Sequence, residues 1–125
     1  MNVHQPYEEI LKRKPDFRVE YRFYSQEEGG RYMLPYQGLR FDFFYEHKEH
    51  KNGEIFMIWP EFEDESGQVI LKNDFPVGQT GTARMFIISE QWIEYHRGKI
   101  KLGTIGYFME GKRIAECEVI ELITI

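Results

Sequence analysis

The sequence predicts an all-β protein: a small closed antiparallel β-barrel of about six or seven strands with a short N-terminal helical or turn segment. Short segments alternate apolar and polar residues with a period of two, turn residues separate them, and no long amphipathic helix pattern is present. The 10 Phe, 8 Tyr and 2 Trp residues favour β-structure with a well-filled interior. We expect a barrel because closure removes unpaired strand edges.

Seven segments carry the strand pattern. They are residues 17–24, 39–45, 55–62, 68–71, 80–89, 102–109 and 114–123. In the first, Phe17, Val19, Tyr21 and Phe23 alternate with polar residues, as in a strand with one buried face. Pro60 predicts an edge strand or a bulge in the third segment, because proline cannot donate to a hydrogen-bonded ladder.

The connections between these segments predict a short helix and several turns. In residues 1–15, Pro6 can begin a short helix and Pro15 ends it. Lys51-Asn52-Gly53 predicts a hairpin turn, since Asn-Gly is a strong signal for one. The connection from Ser25 to Gly38 is too long for a tight hairpin and long enough to carry a function.

Length, charge and cysteine content limit the possible functions. A chain of 125 residues forms one core, so we expect a lead segment, residues 1–15, and a single barrel domain, residues 16–125. The formal net charge of −5 disfavours nucleic acid as a partner except at a local patch. A single cysteine, Cys117, indicates a reducing compartment. With no secretory signal and no long apolar run, we expect a cytoplasmic protein without a membrane partner.

Three short motifs occur in a suggestive order. The first is Glu28-Gly29-Gly30-Arg31, followed by Pro35, Gly38, Arg40 and an aromatic strand; the others are Pro76-x-Gly78 and Glu110-Gly111-Lys112-Arg113. This order resembles the C-terminal (third) β-barrel domain of the translation elongation factor Tu family, as a divergent, stand-alone copy. The resemblance extends from residue 17 to about residue 122. The family's nucleotide-binding loop, Gly-x-x-x-x-Gly-Lys-[Ser/Thr], is missing from the sequence, so no nucleotide partner is expected.

The resemblance also implies partners. In the family, this barrel contacts aminoacyl-tRNA through the Gly-Gly-Arg loop and the last turn, and it docks on the GTPase domain and on exchange factor. The positions of this sequence similar to the RNA-contacting ones are Arg31, Glu110 and Gly111. Asp42 and Met33 stand where the family tends to carry glutamine and threonine, and both changes remove hydrogen-bonding capacity.

The function that we expect is a non-catalytic binding module that binds a protein partner through the loop from Gly29 to Gly38. Tyrosine and arginine together are typical of protein–protein hot spots. The candidate binding residues are Gly29, Gly30, Arg31, Tyr32, Tyr36, Arg40, Glu110, Gly111 and Arg113. The alternatives are a tRNA-like RNA-binding module that uses Arg31, Lys112 and Arg113, and a barrel that binds a small ligand.

Catalytic residues, cofactors and metals are not expected. Cys117 alternates with apolar residues in the last strand pattern and is flanked by two glutamates, which work against a reactive thiolate. His47 and His50 lie in a predicted loop, where two weak ligands rarely hold a metal. Gly29 and Gly30 could let the backbone approach a phosphate or could simply shape a turn.

Overall fold

A computed structural model describes residues 3–51 and 53–125 of the chain. The predicted turn at Lys51-Asn52-Gly53 includes Asn52, which lies outside the described residues. The helices and strands are α1 (Tyr7–Leu11), β1 (Phe17–Phe23), β2 (Asp42–Tyr45), β3 (Ile58–Phe62), β4 (Thr80–Ile87), α2 (Ile93–His96), β5 (Ile105–Met109) and β6 (Arg113–Leu122). A 3-10 turn, Glu90–Trp92, leads into α2. Within these described ranges, no helix has the length and apolar run needed to cross a membrane.

The six strands form one antiparallel sheet with the order β2-β5-β6-β1-β4-β3. The all-β class is therefore confirmed, as is the short N-terminal helix. β1 lies in the middle of the sheet and pairs with β4 on one side and β6 on the other. In this register Tyr21 faces Gly81 and Cys117, so its ring lies over bare backbone on one side.

The prediction of a closed barrel is wrong, because the sheet curls into a half-barrel that stays open between β2 and β3. Among the described residues one bridge joins these edges: Phe43 and Phe56 exchange two backbone hydrogen bonds of 2.9 Å. Both edge strands are short, so neither provides a long ladder for closure. Phe62 directs its N–H away from β4, to Gln37, and Pro60 on the same side has no N–H to donate. The expected edge position of Pro60 is thus confirmed.

Several predicted strand segments are shorter or weaker than expected, residues 39–45 and 68–71 among them. Residues 39–41 precede β2, and the segment 68–71 makes a single bridge, between Glu63 and Val69, instead of a strand. Ring packing accounts for the first difference: Phe41 is buried against Phe108, with stacked ring centroids 5.9 Å apart. The alternating sequence pattern predicts that Phe41 is buried. It does not show whether the backbone of residues 39–41 pairs with a neighbouring strand.

Aromatic side chains fill the inner side of the sheet. Phe17, Phe23, Phe43, Phe62 and Phe108 are all fully buried there. Their rings meet at tilted or edge-on angles, which aromatic pairs prefer to face-to-face stacking. The backbone is shaped around them as well, since a Cβ on Gly106 would lie only 2.2 Å from Phe43 Cζ.

The lead segment packs on the outer side of β3 and β4. The ring of Tyr7 meets Phe86 edge-on, with centroids 5.5 Å apart. His4 Nε2 lies 2.5 Å from Glu61 Oε2, and the Tyr7 N–H donates to the same oxygen at 2.8 Å. Because Glu61 is completely buried, these two contacts compensate part of the cost of removing its carboxylate from water.

Candidate functional site

The connection between β1 and β2 begins with a reciprocal pair of hydrogen bonds. The Ser25 N–H donates to Glu28 Oε1 at 2.8 Å, while the Glu28 N–H bonds back to the Ser25 hydroxyl and carbonyl oxygens. This is the Ser-x-x-Glu capping box, a spacing that is readable in the sequence. Hydrogen bonds from Arg22 and from the Ser25 backbone lower the pKa of Glu28 to about 2. The first turn of the loop is therefore held by a charged carboxylate.

The two glycines of the loop serve its backbone shape. Gly29 has φ of 93°, which side-chain-bearing residues rarely adopt. At Gly30 a Cβ would lie 2.0 Å from the Tyr24 carbonyl oxygen, so no larger residue fits there without rearrangement. Of the two interpretations of the Gly-Gly pair, these observations support the turn rather than a phosphate site.

Arg31 connects the loop to the last hairpin of the sheet. Its Nε donates to Glu110 Oε1 at 2.9 Å, and its Nη1 donates to the Met33 carbonyl at 3.0 Å. Its guanidinium carbon also lies 5.8 Å from the centre of the Phe41 ring. The structure thus brings Gly29, Gly30 and Arg31 together with Glu110 and Gly111, two groups that are far apart in the sequence.

Beyond Arg31 the loop presents apolar side chains to solvent. Tyr32 is 82% exposed, and Met33, Tyr36 and Leu39 are also exposed. Tyr36 pairs in a backbone bridge with Pro76, next to Phe75, which is 66% exposed. Large exposed apolar groups gathered on one loop and its neighbouring segment are typical of an interaction surface.

A surface hollow of about 270 Å³ lies at the base of this loop. Its lining includes Phe23 from the core, Tyr24, Arg31, Tyr32 and Leu34. The hollow has the size of one or two side chains, and it combines aromatic walls with an arginine. Such a depression beside an exposed tyrosine can accept an anchoring side chain from a partner.

The far end of the loop is fixed by Gln37, a residue that sequence reasoning missed. Its Nε2 donates to the Phe62 and Ile70 carbonyls at 2.8 and 2.9 Å, and its Oε1 accepts the Phe62 N–H at 2.9 Å. The side-chain amide therefore replaces a neighbouring strand along the open edge of β3. No local sequence pattern indicates this role of Gln37, because its partners are 25 and 33 residues away in the chain.

Arg40 and Arg113 do not join the loop surface, since each lies against an aromatic ring of another element. The guanidinium carbon of Arg40 is 4.6 Å from the centre of the Trp59 ring. That of Arg113 is 3.8 Å from the centre of Tyr107, and an Arg113 nitrogen is 3.4 Å from Glu46. Both cations are engaged within the protein, which reduces their availability for a phosphate backbone.

A buried carboxylate connects the strands on the outer side of the sheet. Glu63 accepts hydrogen bonds from Arg18, Arg84 and Thr82, with donor–acceptor distances of 2.7 to 3.1 Å. Burial alone would raise the pKa of Glu63, but these donors outweigh burial and lower it. Across β1 and β6, the same face carries Glu20, Glu116 and Glu118 beside one arginine, Arg22, so this part of the face is acidic.

Cys117 and His50 are both packed into the fold. Burial, together with Glu116, raises the pKa of the Cys117 thiol well above its ordinary value, so the prediction of a core cysteine is confirmed. His50 packs against Tyr45 and Phe56 instead of lying in solvent, with ring centroids 4.6 and 4.9 Å away. In the part of the chain that the structure describes, no three potential ligands are grouped as a metal site.

Comparison with known proteins adds no relative, since no protein-family model and no curated protein matches the chain. The resemblance to the third domain of elongation factor Tu therefore depends on the order of the motifs in the sequence.

Proposed function

We propose that this protein is a non-catalytic binding module that recognises a protein partner through the loop from Gly29 to Gly38. The observation that carries the proposal is Tyr32, which is 82% exposed on a loop whose backbone is fixed on both sides of it. An exposed aromatic side chain on a fixed backbone requires little ordering of the chain on binding, which favours its use as an interface anchor. Because Cys117 is a buried free thiol, a reducing compartment such as the cytoplasm belongs to the same proposal.

A divergent relationship to the third domain of elongation factor Tu is part of the proposal. It is supported by the contact between Arg31 and Glu110, which joins the Gly-Gly-Arg loop to the last turn. In the family these two elements form one recognition surface. Protein is favoured over RNA here because Arg40 and Arg113 are engaged with aromatic rings and part of the outer face of the sheet is acidic.

A ligand cavity inside the sheet has less support. The inner side is filled by buried phenylalanine rings whose centroids are 5.7 to 6.4 Å apart. Small-ligand sites need a concave space lined by convergent polar groups. The hollow at the base of the loop lies on the rim of the fold and better suits a protruding side chain.

The proposal can be tested by affinity capture from native lysate with matched surface variants. We expect wild type and Leu102→Ala to retain one specific co-purifying protein, because Leu102 is exposed on a different turn. Tyr32→Ala should weaken binding of that protein by about 30-fold or more, as for a hot-spot residue. Arg31→Ala should also weaken it, by releasing the loop from Glu110.

Two results would contradict the proposal. One is a capture profile that Tyr32→Ala and Arg31→Ala leave unchanged. The other is a captured complex that dissolves on nuclease treatment and whose affinity falls steeply with salt, since that behaviour indicates phosphate contacts.

A further inference from the structure

A second hollow, also of about 270 Å³, lies at the open seam of the sheet, away from the binding loop. Apolar side chains form its walls: Ile55 and Met57 before β3, Ile87 at the end of β4, and Trp92 in the 3-10 turn. Three of them, Ile55, Met57 and Trp92, are about half exposed. The hollow is concave and mostly apolar, two properties of small-molecule sites.

The backbone explains why the hollow exists. The ladder between β3 and β4 ends with a hydrogen bond from the Ile88 N–H to the Met57 carbonyl, at 3.0 Å. Beyond it the chain turns into the 3-10 helix at Glu90 and leaves the preceding strand. On the other side Phe56 is fixed to β2 through Phe43. The gap is therefore bounded by backbone that is held in place on both sides.

His96 supplies a polar group to this otherwise apolar space. The side chain lines the hollow but is only 1% exposed, and its Nδ1 lies 2.6 Å from the Tyr45 hydroxyl oxygen. The buried Tyr45 hydroxyl has no other partner among the described residues, so we assign its O–H as the donor and Nδ1 as the acceptor. That assignment leaves the imidazole proton on Nε2.

The Nε2–H has no acceptor within the described residues. Burial, with the neighbouring His50 and Lys99, lowers the pKa of His96 to about 4, so the ring is neutral at physiological pH. A bound acceptor or a water molecule can therefore take this proton.

Electrostatics narrows the kind of ligand further. Among the residues that the structure describes, Glu54 is the one other ionisable side chain that lines the hollow. Its Oε1 accepts the Lys51 N–H at 3.1 Å, which holds the carboxylate near the rim. This carboxylate would repel a negatively charged ligand and so favours an uncharged one.

We infer that this hollow binds a small, uncharged and largely apolar molecule that carries a hydrogen-bond acceptor, such as an amide or a ketone. Its oxygen accepts the proton of His96 Nε2, and its apolar body packs between Ile55, Met57 and Trp92. The inference does not depend on the binding loop, because none of these residues belongs to it.

Benzamide and benzoate form a matched pair of probes, since they share a shape and differ in charge. In NMR titrations of the full chain we expect benzamide to shift the His96 Nε2 and Trp92 indole resonances and to saturate. Benzoate should bind at least about tenfold more weakly. Glu54→Gln should reduce that difference by removing the repelling charge.

Two variants test the site itself. His96→Phe keeps a ring but removes the donor, and it should weaken benzamide binding by about tenfold or more. If the loss of the Tyr45 hydrogen bond unfolds that variant, Met57→Trp keeps the test possible, because residue 57 is half exposed and a larger side chain should fill the hollow. The inference is overturned if benzamide gives no saturable shift at His96 and Trp92, if benzoate binds equally well, or if Met57→Trp leaves benzamide binding unchanged.

Discussion

At the scale of single residues, stability depends on close contacts between aromatic rings and bare backbone. Phe43 lies against Gly106, and Tyr21 lies against Gly81. A methyl group at either glycine would enter space that a ring already fills. Interiors packed this tightly respond to changes as small as one carbon atom.

Gly106→Ala should therefore destabilise the protein. A Cβ would lie 2.2 Å from Phe43 Cζ, and overpacking of this kind costs about 1–3 kcal/mol. Denaturant unfolding of the variant measures the loss. Combining it with Phe43→Leu should give a smaller total than the sum of the two single changes; simple additivity would show that the two residues do not compete for space.

His96 makes the unfolding free energy depend on pH. Burial lowers its pKa from 6.5 to about 4, so the unfolded chain takes up the proton first as the pH falls. Stability should be complete above about pH 6.5 and should decrease towards pH 4, by up to about 1.4 kcal/mol per pH unit. His96→Phe should flatten this part of the profile in urea unfolding. An unchanged slope would mean that another group is responsible.

At the scale of elements, the long connection is a fixed part of the sheet's edge. Gln37 pairs with the backbone of Phe62 and with Ile70, so the loop and the edge of β3 form one unit. An open edge normally exposes unpaired donors and acceptors that promote association. Here a side-chain amide covers part of that edge.

Gln37→Ala should lower the free energy of unfolding by about 2–3 kcal/mol, because it leaves buried backbone groups without partners. Gln79→Ala is a suitable control, since that exposed amide makes one hydrogen bond, to the Phe23 carbonyl, and should cost much less. Thermal or urea unfolding of both variants gives the comparison. Equal effects would show that Gln37 does not cover the edge in solution.

At the scale of the whole molecule, Glu63 ties together strands from both halves of the chain. Arg18 comes from β1, while Arg84 and Thr82 come from β4, and Arg18 extends the network to Glu121 on β6. The carboxylate is shielded from solvent, although the arginines reach the surface. The network therefore holds the outer side of the sheet much as the aromatic rings hold the inner side.

Glu63→Gln should cost about 2–3 kcal/mol near neutral pH, because hydrogen bonds to a charged group are lost. The pKa of Glu63 is lowered in the folded protein. The stability that its carboxylate contributes is therefore complete above the ordinary pKa of 4.5, and it decreases as the pH falls through the folded-state pKa. The difference between wild type and variant should therefore narrow in acid. Glu121→Gln, a half-exposed partner of Arg18, should cost less than about 1 kcal/mol at any pH.

The sequence predicted what depends on local pattern and missed what depends on distant contacts. The alternation of Phe17, Val19, Tyr21 and Phe23 identified β1, because every second side chain of a strand lies on its buried face. Closure could not be decided that way, since it depends on whether two short edge strands meet after a long separation. Gln37 was missed for the same reason, while the capping box at Ser25 could have been found from its spacing.

Ser25, Arg31 and Gln37 attach the loop to the rest of the fold, and this attachment affects the thermodynamics of partner binding at Tyr32. Most of the chain entropy of this surface is already lost in the free protein, so association would require little further ordering. Calorimetry should then show a heat-capacity change that matches the buried apolar area alone, without the excess of coupled folding. The association rate constant should fall near the ~10⁵–10⁷ M⁻¹ s⁻¹ of rigid docking.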